Sequence, residues 1–270
     1  DLSGIQLENV DFNNSNLDGA DFSDTEFVHN VTFRHSQLND ATFDGSTFDP
    51  GVNPLGGVKI YNVEANGTDF SNVSWPNANL SHSHYNDAQF DNANLENVRM
   101  YRSELKGANL ENASVEGAEI KHADLSDANL QNIDATPIDR YADNPGYGAK
   151  TVFKDVNMEG ADLRGADLEH AKLPFSNLDQ ADLRGINIDD AGIHKISLNG
   201  ADARNVDFSE VDGARGVSVS REQPDGSMEH GFEFGIEARN TDFRGGDLSD
   251  IDWRGADFSG AKLDGANIKN

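Results

Sequence analysis

The 270-residue sequence predicts a repeat fold that turns a corner every few residues and buries two side chains in each unit. Three observations predict it. A large apolar residue recurs at every fifth position: from Phe70 the series runs Trp75, Leu80, Tyr85, Phe90, Leu95, Met100, Leu105, Leu110, Val115, Ile120, Leu125 and Leu130. Two residues before each centre stands a small or β-branched residue, such as Ala78, Ala88, Ala93, Ala108 and Ala113. Neither position ever carries a charge, although the chain holds 48 acidic residues. A period of five fits neither a helix of 3.6 residues nor an alternating strand. A hydrophobic share of 36% with a net charge of −27 resembles the composition of disordered chains. The periodicity outweighs it, because only Ala203 among 41 phased centres is not large and apolar.

Taken in order, the first block runs from Leu2 to Phe27, gains one residue, and continues from Phe33 to Phe48. A second runs from Phe70 to Leu130, a third from Phe153 to Phe208, and a fourth from Phe243 to Ile268. The expected organisation is one domain over 1–270, with repeat blocks 2–48, 68–130, 151–208 and 241–268 and inserts 49–67, 131–150 and 209–240. The first insert contains Asp49-Pro50-Gly51, Asn53-Pro54 and a strand-like Val58-Lys59-Ile60-Tyr61. The second places Asn144-Pro145-Gly146 beside Tyr141 and Tyr147. The third reads as a hairpin: Val217-Ser218-Val219, a turn at Pro224-Asp225-Gly226, then Phe232-Glu233-Phe234-Gly235-Ile236. Inserts on a regular scaffold are either tolerated additions or places where function sits.

The units Ala161-Asp162-Leu163-Arg164-Gly165, Ala166-Asp167-Leu168 and Ala256-Asp257-Phe258-Ser259-Gly260 resemble the A(D/N)LXX pattern of the pentapeptide-repeat family, over about three quarters of the chain. The resemblance implies an all-β fold, a right-handed quadrilateral parallel β-helix with one pentapeptide per face and four per coil. About ten or more coils with three loop interruptions are expected, stacked at ~4.8 Å into a rod of ~50–65 Å. Residues twenty apart then share a column, so Phe70, Phe90, Leu110 and Leu130 form one internal ladder, and Leu80, Met100 and Ile120 another. An open solenoid end exposes unpaired backbone, and no amphipathic capping helix is visible at either terminus. The sequence therefore reads as a segment of a longer protein, or as one capable of end-to-end self-association.

Composition excludes several classes. The excess of acid argues against direct nucleic-acid binding and against an anionic membrane as partner. No apolar run of ~18 residues exists for a membrane helix, and no targeting signal is visible after Asp1-Leu2-Ser3. Zero cysteines remove disulfides and thiol chemistry, which is weakly compatible with export or translocation. Carboxylate pairs such as Asp189-Asp190 fall at outward positions, without the burial that shifts a catalytic pKa. His82-Ser83-His84 raises a metal reading, but the rings flank a corner and the nearby carboxylate is Asp87 at the following one. No enzyme, cofactor or metal site is expected.

One column breaks the acidic pattern. Stacking by twenty lines up His82, Arg102 and His122 beside Ser81, Tyr101 and Lys121, with Arg99 on the same face next to Glu119. Arg99, Tyr101, Arg102, Lys121 and His122 have the composition of an interaction hot spot. Phe175, outward after Pro174, and Phe232 and Phe234 in the third insert are further candidates. The first functional reading is a non-catalytic scaffold that presents faces and loops to a protein partner. The resemblance also implies an alternative, since some family members mimic duplex DNA and bind DNA gyrase. Here 27 net charges over the expected rod give one per ~2–2.4 Å, against one per ~1.7 Å in B-DNA. Residues 1–48, with 9 acids against 1 base and Asp18, Asp21 and Asp24 among them, are the most negative stretch for that role. A further alternative is the scaffold domain of a bacterial translocated effector.

Overall fold

The computed structural model describes the chain apart from residues 30, 49–58, 139–148, 212–216, 223–227, 234–235, 250–252, 254–255 and 270. Among the described residues there is no helix. The regular structure is short strand and isolated bridge, almost all of it parallel. Asp69 bridges Gln89, Gln89 bridges Asn109 and Asn109 bridges Asn129, so the chain returns to each face every twenty residues. Between successive bridges lie two-residue turns every fifth residue, which makes four sides per coil.

The inward pair follows the sequence pattern. Phe70, Trp75, Leu80, Tyr85 and Phe90 are each fully buried, as are Ala78 and Ala88. Each large centre contributes about 1.5–3 kcal/mol of burial before entropy, and the alanines let the walls close. The ladder of one face is aromatic from Phe22 to Phe90, with rings stacked at 4.8 Å for Phe22–Phe43, 5.2 Å for Phe43–Phe70 and 4.8 Å for Phe70–Phe90. It continues aliphatic through Leu110 and Leu130. At several positions where serine or threonine replaces the inward alanine, its hydroxyl donates to a carbonyl of the previous coil. Ser103 Oγ reaches Leu80 O at 2.8 Å and Thr68 Oγ1 reaches Leu38 O at 2.6 Å. Tyr85 donates its hydroxyl to Ile60 O at 2.7 Å, and burial pushes its pKa up.

Corner chemistry explains two more positions. The residue before each centre is often Asp or Asn because its side-chain oxygen accepts the backbone N–H two residues on, as Asp69 does from Ser71 (2.9 Å) and Asp182 from Arg184 (3.2 Å). This Asx turn works with either residue, so part of the acidity is an architectural habit. At most described corners the residue two after the centre has positive φ. Where φ is positive, glycine, Asn, Asp and His fill the position at all but four described corners, as the left-handed region requires. At Gly107, φ is +65° and a Cβ would meet Asp87 Oδ1 at 2.6 Å.

Strands β1 (Gln6–Glu8), β2 (Glu26–His29) and β3 (Thr47–Phe48) form one parallel sheet. Strands β4 (Arg99–Tyr101), β5 (Glu119–Lys121) and β6 (Val152–Lys154) form another. β7 (Val217–Glu222) and β8 (Met228–Glu233) pair antiparallel. The hairpin expected in the third insert is thus present, but its second strand starts and ends earlier than the sequence reading placed it. Ile236 belongs to the coil, where it is buried. The turn at Pro224-Asp225-Gly226 and residue Phe234 lie outside the described residues, as do the Pro-Gly motifs of the first two inserts and Tyr141 and Tyr147.

The insert boundaries also need correcting. Lys59 bridges Thr32 and Glu64 bridges Gln37, which puts residues 59–67 in the coil. Asp134 bridges both Ser114 and Asp167, and Glu237 bridges Ser197. Ile60 is the centre of the first recovered unit, and alanine stands at the buried centre of the other three, Ala65, Ala135 and Ala238. A search for large apolar centres passes over them.

Candidate interaction face

The face built on the inward ladder Phe33, Ile60, Leu80, Met100, Ile120, Phe153, Leu173 and Ile193 differs from the other three. Its register is continuous: Thr32 bridges Lys59, Lys59 bridges Asn79, Asn79 bridges Arg99, and Arg99 pairs with Glu119. Glu119 then pairs with Val152, Val152 with Lys172, and Lys172 with Gly192. The outward side chains include Arg34, Lys59, Arg99, Arg102, Lys121, Lys154, Lys172 and Lys195, eight cations against the three carboxylates Glu119, Asp155 and Asp11, the last bridging Thr32 at the start of the face. The five rungs from Arg99 to Gly192 also lack the Asx acceptor before the centre, and β4, β5 and β6 occupy the first three.

The predicted patch lies in the middle of this face. Arg99 and Arg102 are exposed, and neither has a carboxylate partner among the described residues. Tyr101 is half-buried; Lys121 Nζ stands 5.6 Å from its ring centroid and 3.2 Å from Glu119 Oε2. The His122 ring lies 5.9 Å from that of Tyr101, and its Nδ1 is 2.8 Å from Asp155 Oδ2. Phe175 is not the separate feature that the sequence suggested. The corner ladder runs His82, Arg102, His122, Asp155, Phe175 and Lys195, because the second insert is bypassed where His122 N donates to Lys154 O. Phe175 is 47% exposed, with His194 edge-on at 5.8 Å and Lys195 Nζ 5.7 Å from its centroid. A surface groove of about 580 Å³ runs along this corner, lined by Arg102, His122, Asp155 and Phe175 on one side and Glu104, Asp124 and Glu159 on the other. Phe232 takes part in β8 through its backbone, opposite Ser218.

The sequence reading missed Arg34, Lys59, Lys154, Lys172 and Lys195. Each lies beyond an irregular step in the repeat, where counting by twenty loses the face. It also misjudged His84. The carboxylates beside that ring come from the coils above and below, with Glu64 Oε2 at 2.8 Å and Glu104 Oε1 at 3.5 Å. The bond to Glu64 holds the imidazole pKa above its usual value.

The other faces are acidic in different ways. On the face of Leu95 and Val115, Glu96 and Glu116 share a column and Asp134 lies on the next coil, and partial burial with those like charges pushes Glu116 up. On the face of Leu163 and Leu183, Arg164 and Arg204 each hold their own Asp two residues back, at 2.6 Å to Asp162 and 2.6 Å to Asp202. Arg184 bonds Asp182 and reaches on to Asp202 at 3.4 Å, while Arg244 holds Asp242 at 2.7 Å. The arginine hydrogen bonds hold all four carboxyls below the usual carboxylate range. No group of three or more His, Asp or Glu able to hold a metal occurs among the described residues, and no helix is long and apolar enough to cross a membrane.

The family description "Pentapeptide repeats" matches in eight copies, over residues 1–45, 66–100, 77–112, 103–136, 151–190 and 239–270. No curated protein sequence matches the chain. Among solved structures, the chain is similar to HetL, a pentapeptide repeat protein involved in heterocyst differentiation regulation from the cyanobacterium Nostoc sp. strain PCC 7120. Identity is 23%, over 98% of this chain and 87% of that one, with a TM-score of 0.43. It is also similar to full-length QnrB1, a plasmid-mediated fluoroquinolone resistance protein, at 15% identity over 96% and 93% with a TM-score of 0.32. A pentapeptide repeat protein from the cyanobacterium Cyanothece 51142 aligns at 21% identity over 48% and 83%, with a TM-score of 0.21.

Proposed function

The chain belongs to the pentapeptide-repeat family, and from that premise we propose that it is a non-catalytic protein-interaction rod that docks its partner on the basic face. We read the whole chain as one right-handed four-sided β-helix of ten or more coils. The single observation that carries the docking role is the segregation of charge. A protein with net charge −27 places eight of its 21 lysines and arginines on one side, and leaves Arg99 and Arg102 there without carboxylate partners among the described residues. Arg, Tyr and Phe are the side chains that dominate interface energetics, and Arg102, Tyr101 and Phe175 stand within two neighbouring columns. A convex, filled solenoid offers no apolar cleft of the kind small molecules occupy. Affinity capture with the purified chain tests the reading. The partner should be lost with Tyr101→Ala plus Arg102→Ala and retained with Arg164→Ala plus Arg184→Ala on the arginine–aspartate ladder; loss with the second pair alone contradicts it.

A second reading is favoured by the acidity of the other three faces: a mimic of duplex DNA that engages DNA gyrase. Asp18 lies on one acidic face and Asp21 and Asp24 on the next, where a DNA-binding groove would meet negative charge. The Asx role of so many carboxylates weakens this reading, because a carboxyl that accepts a corner N–H is accounted for by the turn. Inhibition of gyrase supercoiling by the purified chain, relieved by neutralising Asp18, Asp21 and Asp24 but not by the Tyr101/Arg102 pair, would reverse the order of the two.

A further inference from the structure

Four described corners carry neither glycine nor Asn, Asp or His in the left-handed conformation: Arg102 (φ 52°), Phe175 (φ 65°), Gln180 (φ 61°) and Lys195 (φ 55°). A long or aromatic side chain at positive φ is a genuine outlier, and backbone strain of this kind collects at functional sites. Three of the four occupy a single corner ladder, the one that edges the basic face. Folding alone would favour Asn or Gly at each of them. The side chains present are instead two cations and an exposed aromatic ring, with Lys195 beside the face of Phe175 and the 580 Å³ groove alongside.

On the basis of the proposed docking role, we infer that this corner ladder is its specificity anchor. It binds an acidic segment of a partner protein laid along the rod axis, with an apolar side chain seated at Phe175 between Arg102 and Lys195. Charge complementarity selects a narrow polyanion. The cations form one face, interrupted at the corner by Asp155, which His122 Nδ1 holds at 2.8 Å, while Glu104, Asp124 and Glu159 line the far side of the corner groove and Glu96, Glu116 and Asp134 follow on another face. A single extended polypeptide fits between these acidic borders, whereas a nucleic-acid duplex, with one charge per ~1.7 Å across a wide cylinder, would overlap them within the ~8–10 Å screening length. The apolar requirement follows from Phe175, which is 47% exposed and has no core to serve.

The test measures thermal stability and binding together. The probe is a labelled oligo-glutamate peptide with one central phenylalanine, compared with the same peptide lacking the phenylalanine and with duplex DNA of equal charge. The wild-type chain should bind the phenylalanine peptide most tightly. Arg102→Asn and Phe175→Asn should each raise Tm, because strain is relieved, and weaken binding by about tenfold, the scale of one hot-spot side chain. Gln180→Asn, at the same backbone conformation on another ladder, should raise Tm and leave the preference for the phenylalanine peptide unchanged, although its amide donates to Glu159 on the far side of the groove. If the two Asn variants raise Tm without weakening binding, the anchor is wrong while the docking face stands. A fall in Tm makes these side chains structural and overturns the inference. Tighter binding of duplex DNA overturns it in favour of a nucleic-acid ligand. Failure of the proposed function itself looks different: Arg99→Glu with Lys121→Glu would then leave partner capture intact.

Discussion

Two faces of the same solenoid use arginine in opposite ways. On the face of Leu163 and Leu183, Arg164, Arg184, Arg204 and Arg244 each fold back onto the Asp two residues earlier, and Arg164 and Arg184 also reach the Asp of the next coil. That ladder is self-neutralised. On the face of Met100 and Ile120, the position that should hold the Asp is taken by Arg99 itself, by Glu119, by Val152 and by Lys172. Two residues later stand Tyr101, Lys121, Lys154 and Pro174, and of these only Lys121 has an acid two residues back, Glu119 at 3.2 Å. Replacing the Asx residue therefore does two things at once: it removes a turn acceptor and it frees cations for something else. The comparison teaches that the charge of such a rod is informative only after the carboxylates occupied in corners have been set aside.

The largest expected effects should not distinguish the faces at all, because both rest on one core. Met100 and Leu163 are buried to within 1%, so Met100→Ala and Leu163→Ala should each cost about 2–5 kcal/mol. Overpacking with Ala108→Leu should cost about 1–3 kcal/mol or more. Urea denaturation checks all three, and a core change tolerated on one face only would show that the walls do not share a core.

Acid should separate the faces. The carboxyls of Asp162, Asp182, Asp202 and Asp242 are held below the usual range by hydrogen bonds from arginine. Their stabilisation is present above the unfolded carboxylate value of ~3.9 and is lost as pH falls through the lowered folded values. Asp182→Asn plus Asp202→Asn should reduce that acid-dependent loss and lower Tm at neutral pH by a modest amount, as for partly exposed ion pairs. Arg99→Ala should leave both unchanged. His84 titrates with the opposite sign. Its pKa is raised by the bond to Glu64, so its contribution is full below the unfolded histidine value and disappears as pH rises through the raised one. His84→Gln should flatten that small rise in Tm on mild acidification.

The smallest effect belongs to Glu116, whose pKa is raised by partial burial and then by Asp134 and Glu96. Its ionised form opposes folding, so Glu116→Gln should raise Tm slightly at neutral pH, and the gain should vanish in acid where Glu116 is protonated. A loss of stability at neutral pH would show that Glu116 makes a bond that outweighs this repulsion.

Much of this architecture was legible from spacing. The inward pair and the ladders Phe70–Phe90–Leu110–Leu130 and Leu80–Met100–Ile120 follow from the period and from stacking by twenty. The coil edges were not, because Ala65, Ala135 and Ala238 carry no large side chain to mark the centre. Half of the basic face was legible, since His82, Arg102 and His122 lie in an unbroken block. Phe175 and Lys195 were not joined to it, because the residues between Ile120 and Phe153 shift the count by an amount only coordinates reveal. The corner strain at Arg102, Phe175 and Lys195 was invisible for another reason: no sequence rule separates an αL corner filled for folding from one filled for binding until the φ angles are known.

Site-specific photo-crosslinking tests the central claim most directly. A photoreactive phenylalanine analogue placed at Tyr101 should join the partner covalently, whereas the same analogue at Arg184, on the neutralised ladder, should not. Crosslinking from position 184 with none from position 101 would contradict the account.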